Sequence, residues 1–293
     1  MILLLQQIID GAANGALYAA MGVAIVLVYR ATGVLNFAQA EMALVSTFVI
    51  WQLSAWGLPI YLAAVLGLVF SFLFGAAVER GLMRPLRKKP PLASVLAALG
   101  LFLVCNQACA LIWPGAQREF PALIPPVTFD LAGLRLGGET LLLFAVLALQ
   151  AVFLWLFFRH SPLGLKMRAA ADNADAAVYL GVDTSRMFML GWGLAAVFGC
   201  LAGLMIAPTI LLTTGMMFPL LIYGLCAATL GGLTNPFGAI AGGVIIGVIE
   251  NLTATYVPFI GTDLKIAAPL MLIFLVLLFR PQGLFGVRQV SRP

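Results

Sequence analysis

Long apolar runs separated by short polar intervals make up nearly the whole chain. Nine such runs stand out, at 7–29, 37–53, 60–79, 92–113, 140–158, 187–207, 217–233, 238–256 and 264–279. An α-helix needs about 20 predominantly apolar residues to cross the hydrocarbon core of a bilayer. The pattern therefore predicts an all-α, polytopic transmembrane helical bundle of 8–9 spans, organised as one membrane domain over 1–293. The last run is the shortest. Thr262, Asp263 and Lys265 crowd its start, and the remaining stretch reaches only ~22 Å at 1.5 Å per residue. A helix that short leans on local bilayer thinning or on its neighbours. A transmembrane β-barrel is excluded, because barrel strands alternate apolar and polar residues over about 10 positions.

Polar residues that interrupt this pattern are few, and three stretches concentrate them. The first is Gly33-Val34-Leu35-Asn36-Phe37-Ala38-Gln39-Ala40-Glu41-Met42, where two amides and a carboxylate sit between apolar segments. Ionisable groups at membrane depth are costly and commonly face a bundle interior or an aqueous path. A polar turn at the membrane surface is the plainer alternative. On a helix starting near residue 35, Asn36, Gln39 and Glu41 would not share one face. Either the backbone is unwound near Asn36, or one group braces a neighbouring helix while another meets a path.

The second stretch is 159–186. Ser161-Pro162 is a favourable helix start, with Ser as N-cap and Pro at the first helical position. Arg168 and Asp172 are spaced for an i,i+4 ion pair. Gly181 reads as a C-terminal stop, and Asp183 or Thr184 as the cap of the next helix. One or two short helices are expected here, as a solvated connector or as something more specific. In the third stretch, Asn235-Pro236 ends one helix and opens another, and Gly238, Gly242, Gly243 and Gly247 follow at small-xxx-small spacing before Glu250. That spacing suits close helix packing. Broken helices are also what transporters place around a substrate path. The elements beginning Asn36-Phe37-Ala38 and Asn235-Pro236-Phe237-Gly238-Ala239 hint at a parallel internal repeat.

Charge then supplies topology. With the interval after the third run placed inside, 13 of the 16 basic residues are cytoplasmic, and only Arg118, Arg135 and Lys265 are external. This positive-inside bias puts the N-terminus outside and the C-terminus inside. The external interval 114–139 carries four prolines and several glycines, and is expected to be a loop or a short surface strand pair.

Composition agrees and narrows the chemistry. The chain has 63% hydrophobic and 9% charged residues, against about 25% charged in soluble domains. Met1–Leu5 lacks the basic start of a signal peptide and is read as part of the first helix. Cys105, Cys109, Cys200 and Cys226 all fall in apolar runs, where free cysteine is a small buried hydrophobe. The single histidine, His160, has no metal-ligand companions. None of Lys88, Lys89, Lys166 or Lys265 follows a glycine, so a Gly-Lys-Ser/Thr phosphate loop is absent. No catalytic set, cofactor, metal or nucleic-acid site is expected. An ion-coupled secondary carrier would want several buried carboxylates, and only Asp10, Glu41, Glu79 and Glu250 lie near spans.

Three stretches carry a family resemblance. Asn36-Phe37-Ala38-Gln39-Ala40-Glu41-Met42 resembles the "LNFAQGEM" element of the branched-chain amino acid permease subunits of ATP-binding cassette importers, with Ala40 where the family usually has Gly. Residues 161–183 are similar to the coupling segment of those permeases, and Leu230–Gly243 resembles their "LGG…N-P-x-G-A-x-x-G-G" element. The resemblance implies an import permease moving branched-chain or related aliphatic amino acids across a bacterial plasma membrane. Its implied partners are a second, homologous permease subunit, two ATPase subunits, an external substrate-binding protein and the lipid bilayer. Urea and short-chain amide importers resemble the same family. Asn36, Phe37, Gln39, Glu41, Asn235, Pro236 and Glu250 are the candidates to line or brace the path, the first cluster near its cytoplasmic end. Lys166, Arg168, Asp172, Asp175 and Gly181 are the coupling-segment candidates.

Overall fold

All nine apolar runs are helical in the computed structural model, which describes residues 1–115, 117–125, 127–131, 133–257 and 265–286. Thr262 and Asp263, and the basic Arg288 and Arg292, lie outside the described residues. The helices are α1 (Ile2–Thr32), α2 (Gln39–Ala55), α3 (Ile60–Val78), α4 (Arg84–Leu86), α5 (Pro91–Ile112), α6 (Gly138–His160), α7 (Pro162–Asp172), α8 (Ala174–Tyr179), α9 (Thr184–Ile210), α10 (Met217–Gly231), α11 (Pro236–Tyr256) and α12 (Ala267–Phe279). A π-helical turn, Glu79–Met83, joins α3 to α4. The expected external strand pair is present: β1 (Thr128–Leu131) runs antiparallel to β2 (Leu134–Gly137), with Phe129 opposite Leu136.

Among the described residues, six helical stretches are long and apolar enough to cross a membrane: α1, Ile60–Leu86, α5, α6, α9 and α11. The other three apolar helices are shorter, with 17 residues in α2, 15 in α10 and 13 in α12. Lipid-facing stripes are plain on the outer helices. Leu62, Val65, Leu66, Val69 and Leu73 of α3 are exposed at helical spacing, as are Leu92, Leu96, Leu99 and Leu103 of α5. A stripe with that spacing lies along one helix face. In water it would be an aggregation hazard; in a bilayer it is the contact with lipid.

The chain folds into two compact units that interleave in sequence. The first comprises Met1–Val26, Ile124–Ala148 and Ile222–Pro293, and the second Leu27–Leu123 and Leu149–Leu221. In the first unit, α1 and α11 meet through glycines. A Cβ added at Gly243 would lie 2.5 Å from the Ala19 nitrogen, and one at Gly247 would lie 2.5 Å from the Gly15 Cα. The small-xxx-small spacing therefore does what the sequence suggests and lets two backbones touch. In the second unit, α9 packs against α2 and α3. Gly199 faces Gln39 and Ala43 of α2, and Gly203 faces Thr47 and Met217.

That packing sets the depth of α2. Its first residue, Gln39, sits against Ala195 and Gly199, about 17–23 Å along α9 from Thr184 at 1.5 Å per residue. The first turn of α2 therefore meets α9 near its middle.

Candidate functional site

Asn36, Gln39 and Glu41 are all buried, at 2%, 0% and 1% exposure, and each does something different. The backbone is unwound at Asn36, between the end of α1 and the start of α2. Its Oδ1 accepts from the Ala38 N–H at 3.1 Å and its Nδ2 donates to Gln39 Oε1 at 3.3 Å. Gln39 Nε2 donates to the Ala195 carbonyl at 2.9 Å, so this side chain braces α2 against α9. Gly199 leaves the room for it, since a Cβ there would lie 2.8 Å from Gln39 Nε2. The backbone is thus unwound near Asn36, and Gln39 braces a neighbouring helix. Phe37 is half-buried beside them.

Glu41 points elsewhere. Its Oε2 accepts from Asn106 Nδ2 of α5 at 3.0 Å, and the same amide donates to the Thr214 carbonyl at 3.0 Å. Thr214 belongs to the connection between α9 and α10, where Leu211 has φ +67° without being glycine and Leu212 pairs with Arg118. Such a backbone conformation costs on the order of 1–3 kcal/mol and persists only where its surroundings enforce it. A carboxylate in the first turn of α2 also suits the positive end of that helix dipole.

A second buried carboxylate stands in the first unit. Glu250, 2% exposed, accepts from Tyr18 O–H at 2.6 Å and Tyr223 O–H at 2.9 Å, and Lys265 Nζ lies 3.2 Å away. The two tyrosine rings stack with centroids 4.3 Å apart. Hydrogen bonds to a charged group contribute about 1.5–3 kcal/mol. Tyr18→Phe should therefore lower thermal stability in detergent by an amount in that range, with Tyr223→Phe adding less than its own value because both act on one carboxylate. Full additivity in the double variant would show that the two donors are independent. Asn235 and Pro236, also in the first unit, form a helix start. Asn235 Oδ1 accepts from the N–H groups of Phe237 and Gly238, and its Nδ2 donates to the Phe285 carbonyl. The Asn36 and Asn235 elements share this turn from side chain to the N–H two residues on.

Glu79, fully buried in the π-helical turn, pairs with Arg84 at 3.4 Å and with Arg87. Both arginines also reach Ser185 at the start of α9, and Arg87 lies over the Phe188 ring at 4.3 Å. Burial draws the Arg87 guanidinium below its ordinary range, and Glu79 draws it back.

The 159–186 stretch forms as its caps predict. Ser161 Oγ accepts from the Leu163 N–H to start α7, Asn173 caps α8, Gly181 has φ +77°, and Asp183 caps α9. The expected Arg168–Asp172 ion pair is absent among the described residues: Asp172 is exposed, while Arg168 turns inward with its Nε buried and unpartnered. Met167 and Ala170 bury the inner face of α7 against Met187 and Phe188, and Arg168 lines the pocket beside them instead of pairing along the surface. Lys166 and Asp175 are exposed.

Sequence reasoning did not single out Asn106, Tyr18 or Tyr223, and did not connect Lys265 with Glu250. The signal for Asn106 is an amide inside an otherwise apolar run, which is costly unless partnered. Tyr18 and Tyr223 carry no such signal, because tyrosine is ordinary in apolar helices.

Apolar stripes outside, with carboxylates and amides held inside by neighbouring helices, define a multi-pass α-helical membrane protein. The chain belongs to the family described as branched-chain amino acid transport system / permease component, which matches residues 7–279. It is 30% identical over 305 residues to the high-affinity branched-chain amino acid transport system permease protein BraD of Pseudomonas aeruginosa, covering 98% of this chain and 97% of that one. It is 28% identical over 308 residues to LivH of Escherichia coli, with the same coverage. Among solved structures, PsaBC from Streptococcus pneumoniae in complex with Fab aligns over 95% of this chain and 92% of that one, at 13% identity and a TM-score of 0.49.

Proposed function

We propose that this chain is the membrane subunit of an ATP-driven importer of branched-chain or related aliphatic amino acids. The observation that carries the reading is the end-to-end family match over residues 7–279. The whole chain acts as one permease domain. It pairs with a second, homologous permease subunit, two ATPases that hydrolyse ATP, and an external binding protein that delivers substrate. Asn36, Phe37, Gln39 and Glu41 line or brace the translocation path near its cytoplasmic end, and Asn235, Pro236 and Glu250 are further lining or bracing residues. The test is to tag this chain, purify it with whatever accompanies it, and measure labelled leucine uptake in proteoliposomes. ATP-dependent uptake supports the reading; uptake by the chain alone, driven by an ion gradient, overturns it.

In this reading 161–183 docks on the ATPase. Support comes from its outer surface: Tyr179 and Leu180 are 90% and 81% exposed beside Val178 and the Gly181 turn. Large side chains so exposed at a helix end mark a contact surface. Gly181→Val meets no neighbour but must adopt φ +77°, which β-branched residues strongly disfavour. Uptake should fall severalfold while the isolated ATPases keep their basal rate. Unchanged uptake would make the segment a plain connector.

The orientation is N-terminus out and C-terminus in. A cysteine at exposed Gln117 should react with an impermeant label applied to intact cells, and one at exposed Asn173 should not. Labelling of both from the same side would overturn the positive-inside assignment.

A further inference from the structure

A small open pocket lies where the end of α1, the end of α6, α7 and the start of α9 converge, and it has two arginines in its wall. Arg30 lies over the Phe158 ring, 5.6 Å from its centroid. Arg168 comes from α7, and its Nε is buried without a hydrogen-bond partner. Neither forms an ion pair within 4 Å among the described residues, though the charge of exposed Asp172, one turn beyond Arg168, partly offsets Arg30. The rest of the wall is apolar, including Leu27, Met187 and Phe188. Two guanidinium groups that repel each other in a half-buried setting, with one exposed carboxylate to offset the charge, call for a further anion, because excess charge away from water is costly. Guanidinium donors form a planar fork that matches phosphate oxygens.

We infer that this pocket binds the phosphate of an anionic phospholipid headgroup, held between Arg30 and Arg168. The apolar wall favours an amphiphile over free phosphate, since the glycerol and first acyl carbons can lie on Leu27 and Phe158. Basic pockets among membrane helices on the cytoplasmic side take such headgroups. Bound there, the lipid ties α7 to α1 and α9, so the charge of the surrounding bilayer sets how firmly the 161–183 segment is anchored.

The test uses the full chain in neutral detergent, titrated with a short-chain phosphatidylglycerol and followed by the rise in thermal midpoint. At about 1 kcal/mol per basic residue near the surface, the Arg30→Gln, Arg168→Gln double variant should bind about thirtyfold more weakly. Arg159→Gln, an exposed arginine outside the pocket, should leave binding unchanged. Arg168→Lys keeps the charge without the fork and should fall between, which preserves the test if the double variant does not fold. Phosphatidylcholine should bind weakly to every form. Equal binding by wild type and the double variant overturns the inference. Inorganic phosphate matching the lipid's effect would identify free phosphate instead. Loss of ATPase capture with phosphatidylglycerol binding intact would assign the arginines to a protein carboxylate. None of these readouts depends on transport, so failure here leaves the proposed function standing.

Discussion

Gly243→Val is expected to destroy most of the folded protein. A Cβ at residue 243 would meet the Ala19 nitrogen at 2.5 Å, its Cα at 2.6 Å and its Cβ at 2.7 Å, and two of these are backbone atoms. Backbone in a packed helix cannot step aside as a flexible side chain does. Inserting extra carbons into a well-packed interior costs about 1–3 kcal/mol and occasionally more. With two branches and a backbone partner, this site should lie at or above the top of that range. Total stability is only about 5–15 kcal/mol for a typical native protein. The measurement is the monodisperse fraction and thermal midpoint of the detergent-extracted chain. Gly100→Ala is the control: it lies in α5 with open space around it. Removing a mid-helix glycine there should be neutral or stabilising by about 1 kcal/mol. A monodisperse Gly243→Val with an unchanged midpoint would mean that the α1–α11 contact is not the close one described.

The second large effect is functional. Glu41→Gln keeps the length, the planarity and an acceptor for Asn106, so the Asn106–Thr214 link survives. Only the charge is lost. If this carboxylate serves the path, uptake should fall at least about tenfold, equivalent to ~1.4 kcal/mol of barrier, with expression and complex assembly normal. Asn106→Leu separates the alternatives, because it leaves the charge and removes the brace. Should Asn106→Leu lose uptake while Glu41→Gln transports normally per assembled complex, Glu41 is a structural brace and its assignment to the path is wrong.

Much of this architecture is legible without coordinates. Each apolar run became a helix because a backbone in hydrocarbon must satisfy its own hydrogen bonds, and only regular structure does so. The caps were equally local. Ser161, Gly181, Asp183 and Asn235 act within a few residues of themselves, and each sits where its chemistry predicts. The small-xxx-small spacing before Glu250 declared a close helix contact, though not its partner.

What depended on other parts of the chain could not be read so. Arg168 and Asp172 have the spacing of a pair, yet Arg168 turns its side chain into the pocket formed with α1, α6 and α9 while Asp172 stays exposed. Asn36, Gln39 and Glu41 are adjacent in sequence, but tertiary structure alone sent one to cap a turn, one to brace α9 and one to α5. Tyr18, Tyr223 and Lys265 meet Glu250 across separations of up to 232 residues. The sequence by itself determined a polytopic helical membrane protein, its helix ends and its buried carboxylates, because burial cost and backbone satisfaction act locally. The tertiary structure decided the partner of each buried charge and the depth at which α2 begins. Those follow from which helix faces meet, and no local pattern encodes that.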